Sequence, residues 1–390
     1  MIPYGKHHVD EEDVQAVVNI LRGGALTQGS TVSQFEQAVS DYVGARFAVA
    51  VSSGTAGLHI AAIAAGMGPG HALLTSPITF VATSNAAVYT GGMPLFADVE
   101  AETVNIAPSS VEQMLAKHPE IKVISPVHFS GLPCNMATIK KLADAAGVVI
   151  VEDAAHALGS RYADGTTVGC CRYSLMTVFS FHPVKSITTG EGGVVTTNDE
   201  ETYQKLLRLR SHGINKESDV YQRPDNALTE GVRNPWYYEM QELGFHYRIT
   251  DIQCALGVSQ LKKLDSFVSK RRELVKRYDS AFAHSRLIRP AQTDGRNQSA
   301  HHLYPARIDF AQSGTTRAAL MGELRRRGVI TQVHYIPVTM HPFYQNLGFS
   351  SVDHPESINY YADALSLPLY VDLTEKQQNF VIDLLLELLE

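Results

Sequence analysis

"VVIVEDAAHALGS" (148–160) decides how this chain is read. Four β-branched residues run into Glu152 and Asp153, and small residues follow. A strand buried on both faces needs an unbroken apolar run of this kind, as in a parallel sheet covered by helices. Asp153 falls at the carboxyl end of the run. In open α/β sheets ligands bind at that edge. A lone Asp after a strand reads first as a helix N-cap. Here His156 follows three residues on, and Lys185 lies 32 residues beyond Asp153.

The same pattern extends outward. "FAVAV" (47–51), "ALLTS" (72–76), "MPLFAD" (93–98) and "IKVISPV" (121–127) are further apolar runs, separated by helical patterns such as "GTAGLHIAAIAAG" (54–66). Alternation of this kind predicts an α/β fold with a doubly wound, open sheet. Asp10 can cap a first helix with Val14, Val17, Val18 and Leu21 at helical spacing. From about residue 173 strands become denser, in "SLMTVFSF" and "GGVVTTN", and a long helical region then covers roughly 250–282. A strand (302–310), a helix (315–327), a strand (330–336) and a last helix (374–389) predict a small C-terminal α/β domain. The boundary is placed inside the helical region, giving 1–260 as the N-terminal segment with a large domain and 261–390 as the small one. Segment 215–240 is polar and aperiodic and reads as a mobile loop.

Composition narrows the function classes. A net charge of −7 over 390 residues offers no basic face for nucleic acid. No uncharged apolar run approaches the roughly 18 residues of a membrane span. The start, "MIPYGKHHVDEEDV", has no apolar leader core. Cys134, Cys170, Cys171 and Cys254 show no CxxC spacing and suit a reducing cytoplasm. The pairs His7–His8 and His301–His302 lack partners at metal spacing and read as solvated or structural, so no metal site is expected. "GMGPG" (66–70) precedes a strand instead of following one, which is the wrong context for a dinucleotide loop.

A second stretch supplies the chemistry. "VFSFHPVKSITTGEGGVV" (178–195) holds one lysine, Lys185, among aromatics, hydroxyls and glycines. Few charges lie near it, so its pKa should fall and its amine become a competent nucleophile and base. A lysine with an aspartate able to pair with a ring nitrogen is the minimum for pyridoxal phosphate chemistry. The lysine bonds the cofactor's aldehyde carbon, and the carboxylate keeps the pyridine nitrogen protonated. A phosphate wants backbone N–H groups at a helix start. "SSGTAGLH" (52–59) offers them, with Gly54 for close approach and the Thr55 hydroxyl beside it. Ser180 can add a second hydroxyl, and Phe80, after the next strand, can stack on a ring.

Taken together these residues resemble the DegT-type nucleotide-sugar aminotransferases, pyridoxal phosphate enzymes of fold type I. The matching pieces run nearly end to end: "IPYG" (2–5), "ALTQGSTVSQFE" (25–36), "SSGTAGLH", "SPITFVATSNA" (76–86), "EDAAHALGS" (152–160), "FSFHPVKSITTGEGGVV" (179–195), "RSHGI" (210–214), "YRITDIQCALG" (247–257) and "QVHYIPV" (332–338). The resemblance implies a large, mixed, mostly parallel sheet domain and a small C-terminal domain. It implies transfer of the amino group of L-glutamate to the C4 ketone of a UDP-linked 2-acetamido-2,6-dideoxy-4-hexulose, by a cytoplasmic homodimer that shares its active sites. Lys185 would be catalytic. Asp153 would pair with the ring nitrogen, His156 with the ring oxygen or ring edge, Phe80 would stack, and Gly54, Thr55 and Ser180 would hold the phosphate. Tyr4, Gly24, Ala25, Leu26, Thr27, Gln332, Val333, His334 and Tyr335 match positions that contact the nucleotide sugar. The family usually carries asparagine where this chain has His246, the position that reaches the neighbouring subunit's cofactor phosphate. Arg248 and Arg307 are candidates for the glutamate carboxylates. Other readings are an aminotransferase for a 3-keto or a dTDP- or GDP-linked sugar, a non-catalytic regulator that binds the cofactor, and a cysteine desulfurase using Cys134. The dehydratase branch of the family replaces the lysine, and Lys185 is present.

Overall fold

The computed structural model describes residues 1–216 and 221–389, so part of the predicted loop 215–240, at 217–220, lies outside the described residues. One sheet contains β1 (Phe47–Val51), β2 (Ala72–Thr75), β3 (Met93–Phe96), β4 (Ile121–Ile124), β5 (Val149–Asp153), β6 (Met176–Ser180) and β7 (Gly193–Thr197). Their lateral order is β1-β7-β6-β5-β4-β2-β3. Pairs among β2 to β6 are parallel, and β7 runs antiparallel to both β6 and β1. The reversal has a local cause. Parallel neighbours need a crossover, usually a helix, and the 181–192 connection between β6 and β7 contains none.

Helices α1 (Glu11–Gly23), α2 (Ser30–Val43), α3 (Gly54–Ala64), α4 (Ala82–Tyr89), α5 (Pro108–Lys117), α6 (Met136–Ala146) and α7 (Glu200–Arg210) accompany this sheet. Alternate residues of one strand point to opposite faces. Ala50, Leu74, Ile124, Ile150 and Val194 accordingly enter one core cluster. Their neighbours Val49, Leu73, Val123, Val151 and Val195 enter another. Both faces are apolar, which is why these strands read as continuous hydrophobic runs.

The two-residue strands β8 (Ile214–Asn215), β9 (Leu228–Thr229), β10 (Val232–Arg233) and β11 (Glu239–Met240) pair as β8–β11 and β9–β10. The predicted helical region is two helices, α8 (Asp251–Leu261) and α9 (Leu264–Phe282). A second sheet of β12 (Ile288–Pro290), β13 (Tyr304–Ile308) and β14 (Ala364–Leu367) is antiparallel. It is accompanied by α10 (Arg317–Arg326), α11 (Pro342–Asn346), α12 (Pro355–Asp363) and α13 (Glu375–Leu389). Its core cluster draws on Leu274, Tyr278, Tyr304, Leu365 and Val381, and on Ile2 from the chain start. The predicted strand at 330–336 does not form. Only Gln332 bridges to Ser366, and β14 supplies the third strand. Residues 332–336 line a cavity instead, so their apolar alternation reports a pocket wall and not a sheet face.

Helix α2 begins after Gly29, which has no side chain to cap it. Asp251, buried in the first turn of α8, does so from afar. Its Oδ2 accepts from the Gly29 N–H at 2.8 Å and its Oδ1 from the Thr31 N–H at 3.0 Å. A Cβ on residue 29 would fall 2.7 Å from Asp251 Oδ1, so glycine is required there. Asp251→Ala should cost about 1–2 kcal/mol, the loss of an N-cap. A urea midpoint equal to that of the parent would show that the contact contributes nothing.

Candidate active site

Three segments leave the same edge of the large sheet and converge. After β1 the chain passes through Ser52 and Ser53 into α3, and Ser53 Oγ accepts from the Ala56 N–H at 3.1 Å as N-cap. Gly54 and Thr55 open this helix. A Cβ at Gly54 would fall 2.9 Å from Ser180 Cβ, and one at Gly193 would fall 2.7 Å from the carbonyl of Ser53. Only glycine at both places lets Ser180, β7 and the start of α3 close on one another. Ser52, Ser53, Gly54, Thr55 and Ser180 line a cavity of about 890 Å³ together with Phe80, Asp153, His156 and Lys185. Phe80 is 58% exposed, its ring on the cavity wall.

Asp153 ends β5 and is buried. Its Oδ2 accepts from the Thr83 hydroxyl at 2.6 Å and its Oδ1 from the Ala155 N–H at 3.0 Å. Thr83 spends its proton on Asp153, so the Thr79 hydroxyl, 2.8 Å away, donates to Thr83. This relay orients the carboxylate and leaves each oxygen with further accepting capacity. Behind Asp153, Glu152 is fully buried and accepts from His128 Nε2 at 2.7 Å, Tyr162 Oη at 2.6 Å and Ser174 Oγ at 2.5 Å. That network fixes the carboxyl end of β5, and Asp153 with it.

His156 Nδ1 accepts from the Ser130 N–H at 3.3 Å. Burial, then the charge of Lys185, holds its pKa well below the ordinary range, so the ring is neutral with its proton on Nε2. That nitrogen lies 3.0 Å from Tyr335 Oη and donates to it, which leaves the Tyr335 proton available to a ligand. Ser130 has φ of 59° and Gly131 of 96°. A Cβ at Gly131 would sit 2.9 Å from the His156 carbonyl, so this turn packs directly beneath the histidine.

Lys185 lies on the β6–β7 connection and is half-buried on the cavity wall. Among the described residues its amine has no hydrogen-bond or ion-pair partner. Burial lowers its pKa to about 8, with nearby Asp153 opposing the drop. About half of the amine is therefore neutral at pH 8, against under about 1% for an ordinary lysine. In cofactor-free protein, acetic anhydride labelling of the Lys185 peptide should rise with pH through a midpoint near 8. A midpoint above about 10, the unperturbed lysine value, would contradict this.

Of the sequence-predicted substrate residues, Tyr4, Gln332, Val333, His334 and Tyr335 line the cavity. Gly24, Ala25, Leu26 and Thr27 do not. They lie exposed between α1 and α2, with Leu26 O accepting from the Asp251 N–H at 3.0 Å. His246 is also exposed and outside its own chain's cavity, its ring stacked 5.4 Å from that of His212. Neither arginine lines the cavity. Arg248 donates to Ser211 Oγ at 2.9 Å, and Arg307 pairs with Asp363 at 3.0 Å. Sequence reasoning missed Thr79 and Thr83, which sit in the quoted "SPITFVATSNA" as unremarkable hydroxyls, and it read His302 as solvated or structural. His302 lies on the cavity wall, brought there by the second sheet, which no local pattern reveals. Cys134 is buried with its thiol pushed well up by burial, so it is no nucleophile. Among the described residues no cluster of three or more His, Cys, Asp or Glu could hold a metal.

The residues fit pyridoxal phosphate. A glycine-lined cradle with hydroxyls at a helix start suits the phosphate. An oriented carboxylate suits the ring nitrogen, and a neutral-prone lysine amine lies in the same cavity. This fold and site define a fold-type-I pyridoxal phosphate-dependent sugar aminotransferase. The chain belongs to the DegT/DnrJ/EryC1/StrS aminotransferase family, whose model matches residues 7–386. The Bacillus subtilis spore coat polysaccharide biosynthesis protein SpsC is 39% identical over 386 residues, 98% of this chain and 95% of that protein. A Campylobacter jejuni UDP-4-amino-4,6-dideoxy-N-acetyl-beta-L-altrosamine transaminase is 36% identical over 391 residues, 100% of this chain and 98% of that one. Among solved structures, Helicobacter pylori PseC, an aminotransferase involved in the biosynthesis of pseudoaminic acid, has a TM-score of 0.88 at 29% identity, covering 100% and 99% of the two chains. A putative sugar aminotransferase from Streptococcus pneumoniae, Spr1654, has been solved in PLP and PMP forms. The PLP form gives a TM-score of 0.87 at 29% identity, with 100% of both chains covered.

Proposed function

We propose that this enzyme moves the amino group of L-glutamate to the C4 ketone of UDP-2-acetamido-2,6-dideoxy-4-hexulose, giving the UDP-4-amino-4,6-dideoxy sugar. The observation that carries the reading is the unpartnered, low-pKa Lys185 amine in one cavity with Asp153. When bound, pyridoxal phosphate supplies a carbonyl that exchanges amines and a ring that stabilises negative charge at the reacting carbon. Lys185 Nζ would hold the cofactor at rest, take a proton from the donor's reacting carbon and deliver one at sugar C4. Asp153 would keep the ring nitrogen protonated. Gly54, Thr55 and Ser180 would bind the phosphate, and Phe80 would cover the ring. The Tyr335 hydroxyl, which accepts from His156 Nε2–H, would be the donor facing ring and substrate oxygens.

The choice of sugar is supported by the names of the Campylobacter and Helicobacter relatives. The higher identity to a spore coat polysaccharide protein supports a second reading, an aminotransferase for a different keto nucleotide sugar. No Lys or Arg other than Lys185 lines the cavity among the described residues, yet a nucleotide diphosphate wants cations. A homodimer with shared sites would bring residues of a neighbouring subunit to this cavity, so we include it in the proposal. The apolar side of α1 supports this, since Val14 and Leu21 are exposed. So does the run of exposed Trp236, Tyr238, Met240 and Leu243. In such a dimer 24–27 and His246 would face the neighbour's site. A large domain of 1–260, a small domain of 261–390 and a cytoplasmic location belong to the same proposal, the last supported by four free thiols.

The test is the visible absorbance of the purified protein. Glutamate should bleach the cofactor band, and the UDP-4-keto sugar should restore it. Restoration only by a 3-keto or a dTDP-linked sugar would move the second reading ahead. A protein that never binds the cofactor would end both.

A further inference from the structure

His302 is only 3% exposed, yet it forms part of the cavity wall. Its ring lies 4.4 Å from that of His156. Its backbone is clamped, with its N–H on Ser130 O at 2.9 Å and its carbonyl accepting from buried Arg271 at 3.2 Å. Ring nitrogen Nδ1 is sealed from solvent and has no partner among the described residues. Nε2 also makes no hydrogen bond among the described residues but, unlike Nδ1, is not among the sealed atoms, and the ring belongs to the cavity wall. A buried polar ring held this firmly, with its one accessible nitrogen unsatisfied, calls for a ligand group. Burial, with His156 and Lys185 nearby, keeps the ring neutral, so it does not compete with Lys185 for the transferred proton.

We propose that His302 Nε2 hydrogen-bonds an oxygen carried by the carbon next to the one that exchanges its amine. In the amino-acid donor that oxygen belongs to the α-carboxylate. In the keto sugar it is the hydroxyl beside the ketone. Both substrates present the same chemistry at the same distance from the reacting carbon, and one neutral group near Lys185 can read either. Neutrality matters, because a fixed cation would favour the carboxylate and disfavour the sugar. This inference rests on the aminotransferase reading.

The test uses the holoenzyme and follows each half-reaction separately by the cofactor band, with cofactor affinity and urea midpoint measured alongside. His302→Ala should raise the glutamate concentration for half-maximal bleaching, the keto-sugar concentration for restoration, or both, by about tenfold, the effect of one lost hydrogen bond. A change in the first arm alone assigns the carboxylate, and in the second alone the hydroxyl. His302→Gln, whose amide nitrogen replaces Nε2, should recover most of the loss, whereas His302→Asn, which replaces Nδ1, should not. Unchanged half-reactions in His302→Ala overturn the inference, as does a loss explained wholly by weaker cofactor binding or by unfolding, or equal rescue by Asn and Gln. If the parent protein itself is not bleached by glutamate, the aminotransferase reading fails first and this inference falls with it.

Discussion

Lys185→Ala is expected to abolish transamination, by about 10⁴-fold or more, while the protein remains folded. The rate loss combines a missing nucleophile with a missing general acid and base, the latter alone contributing up to about 10⁴. The fold should survive because the amine has no described partner whose bond would be broken. Asp153 keeps its bonds to Thr83 and to the Ala155 N–H. Removing a cation that burial disfavours also leaves the cofactor-free protein no less stable. Borohydride reduction should fix the cofactor on the Lys185 peptide of the parent, as a mass increase, and on no peptide of the variant. Retained turnover in Lys185→Ala would sink the mechanism.

Asp153→Asn should have the second largest effect, about 10²–10³ in kcat. The substitution keeps the shape and an oxygen for the Ala155 N–H, but it removes the charge that would hold a proton on the ring nitrogen. Breaking a buried charged pair costs about 3–5 kcal/mol, and the lower part of that range, about 3–4 kcal/mol, corresponds to this loss. It also turns an N–H toward the Thr83 hydroxyl, so the relay from Thr79 must reverse or break. The loss should appear in single-turnover bleaching by glutamate, with KM less affected than kcat. A loss below tenfold would mean that Asp153 orients the cofactor without setting its electronics.

Much of this was legible in the residues. The large sheet announced itself because its strands are buried on both faces, and such strands need unbroken β-branched runs. Lys185 and Asp153 stood out because each is a charge placed where the surrounding pattern is apolar or small. Gly54 was legible for a similar reason, since close backbone approach leaves only one residue type. The 330–336 segment misled, because apolar alternation looks the same whether it faces a sheet or lines a pocket.

The chain's sequence by itself determined the fold class, the lysine and its aspartate, and the family. These depend on local periodicity and on residue types that few other settings tolerate. Only the tertiary structure decided that Thr79 and Thr83 orient Asp153, that His156 donates to Tyr335, and that His302 belongs to the cavity. It also decided that 24–27 and His246 lie outside the cavity of their own chain. These facts depend on contacts between residues far apart in the chain, such as Ser130 with His156 and with His302. Hydrogen-bond direction and burial are properties of the assembled neighbours, and no single stretch of sequence encodes them.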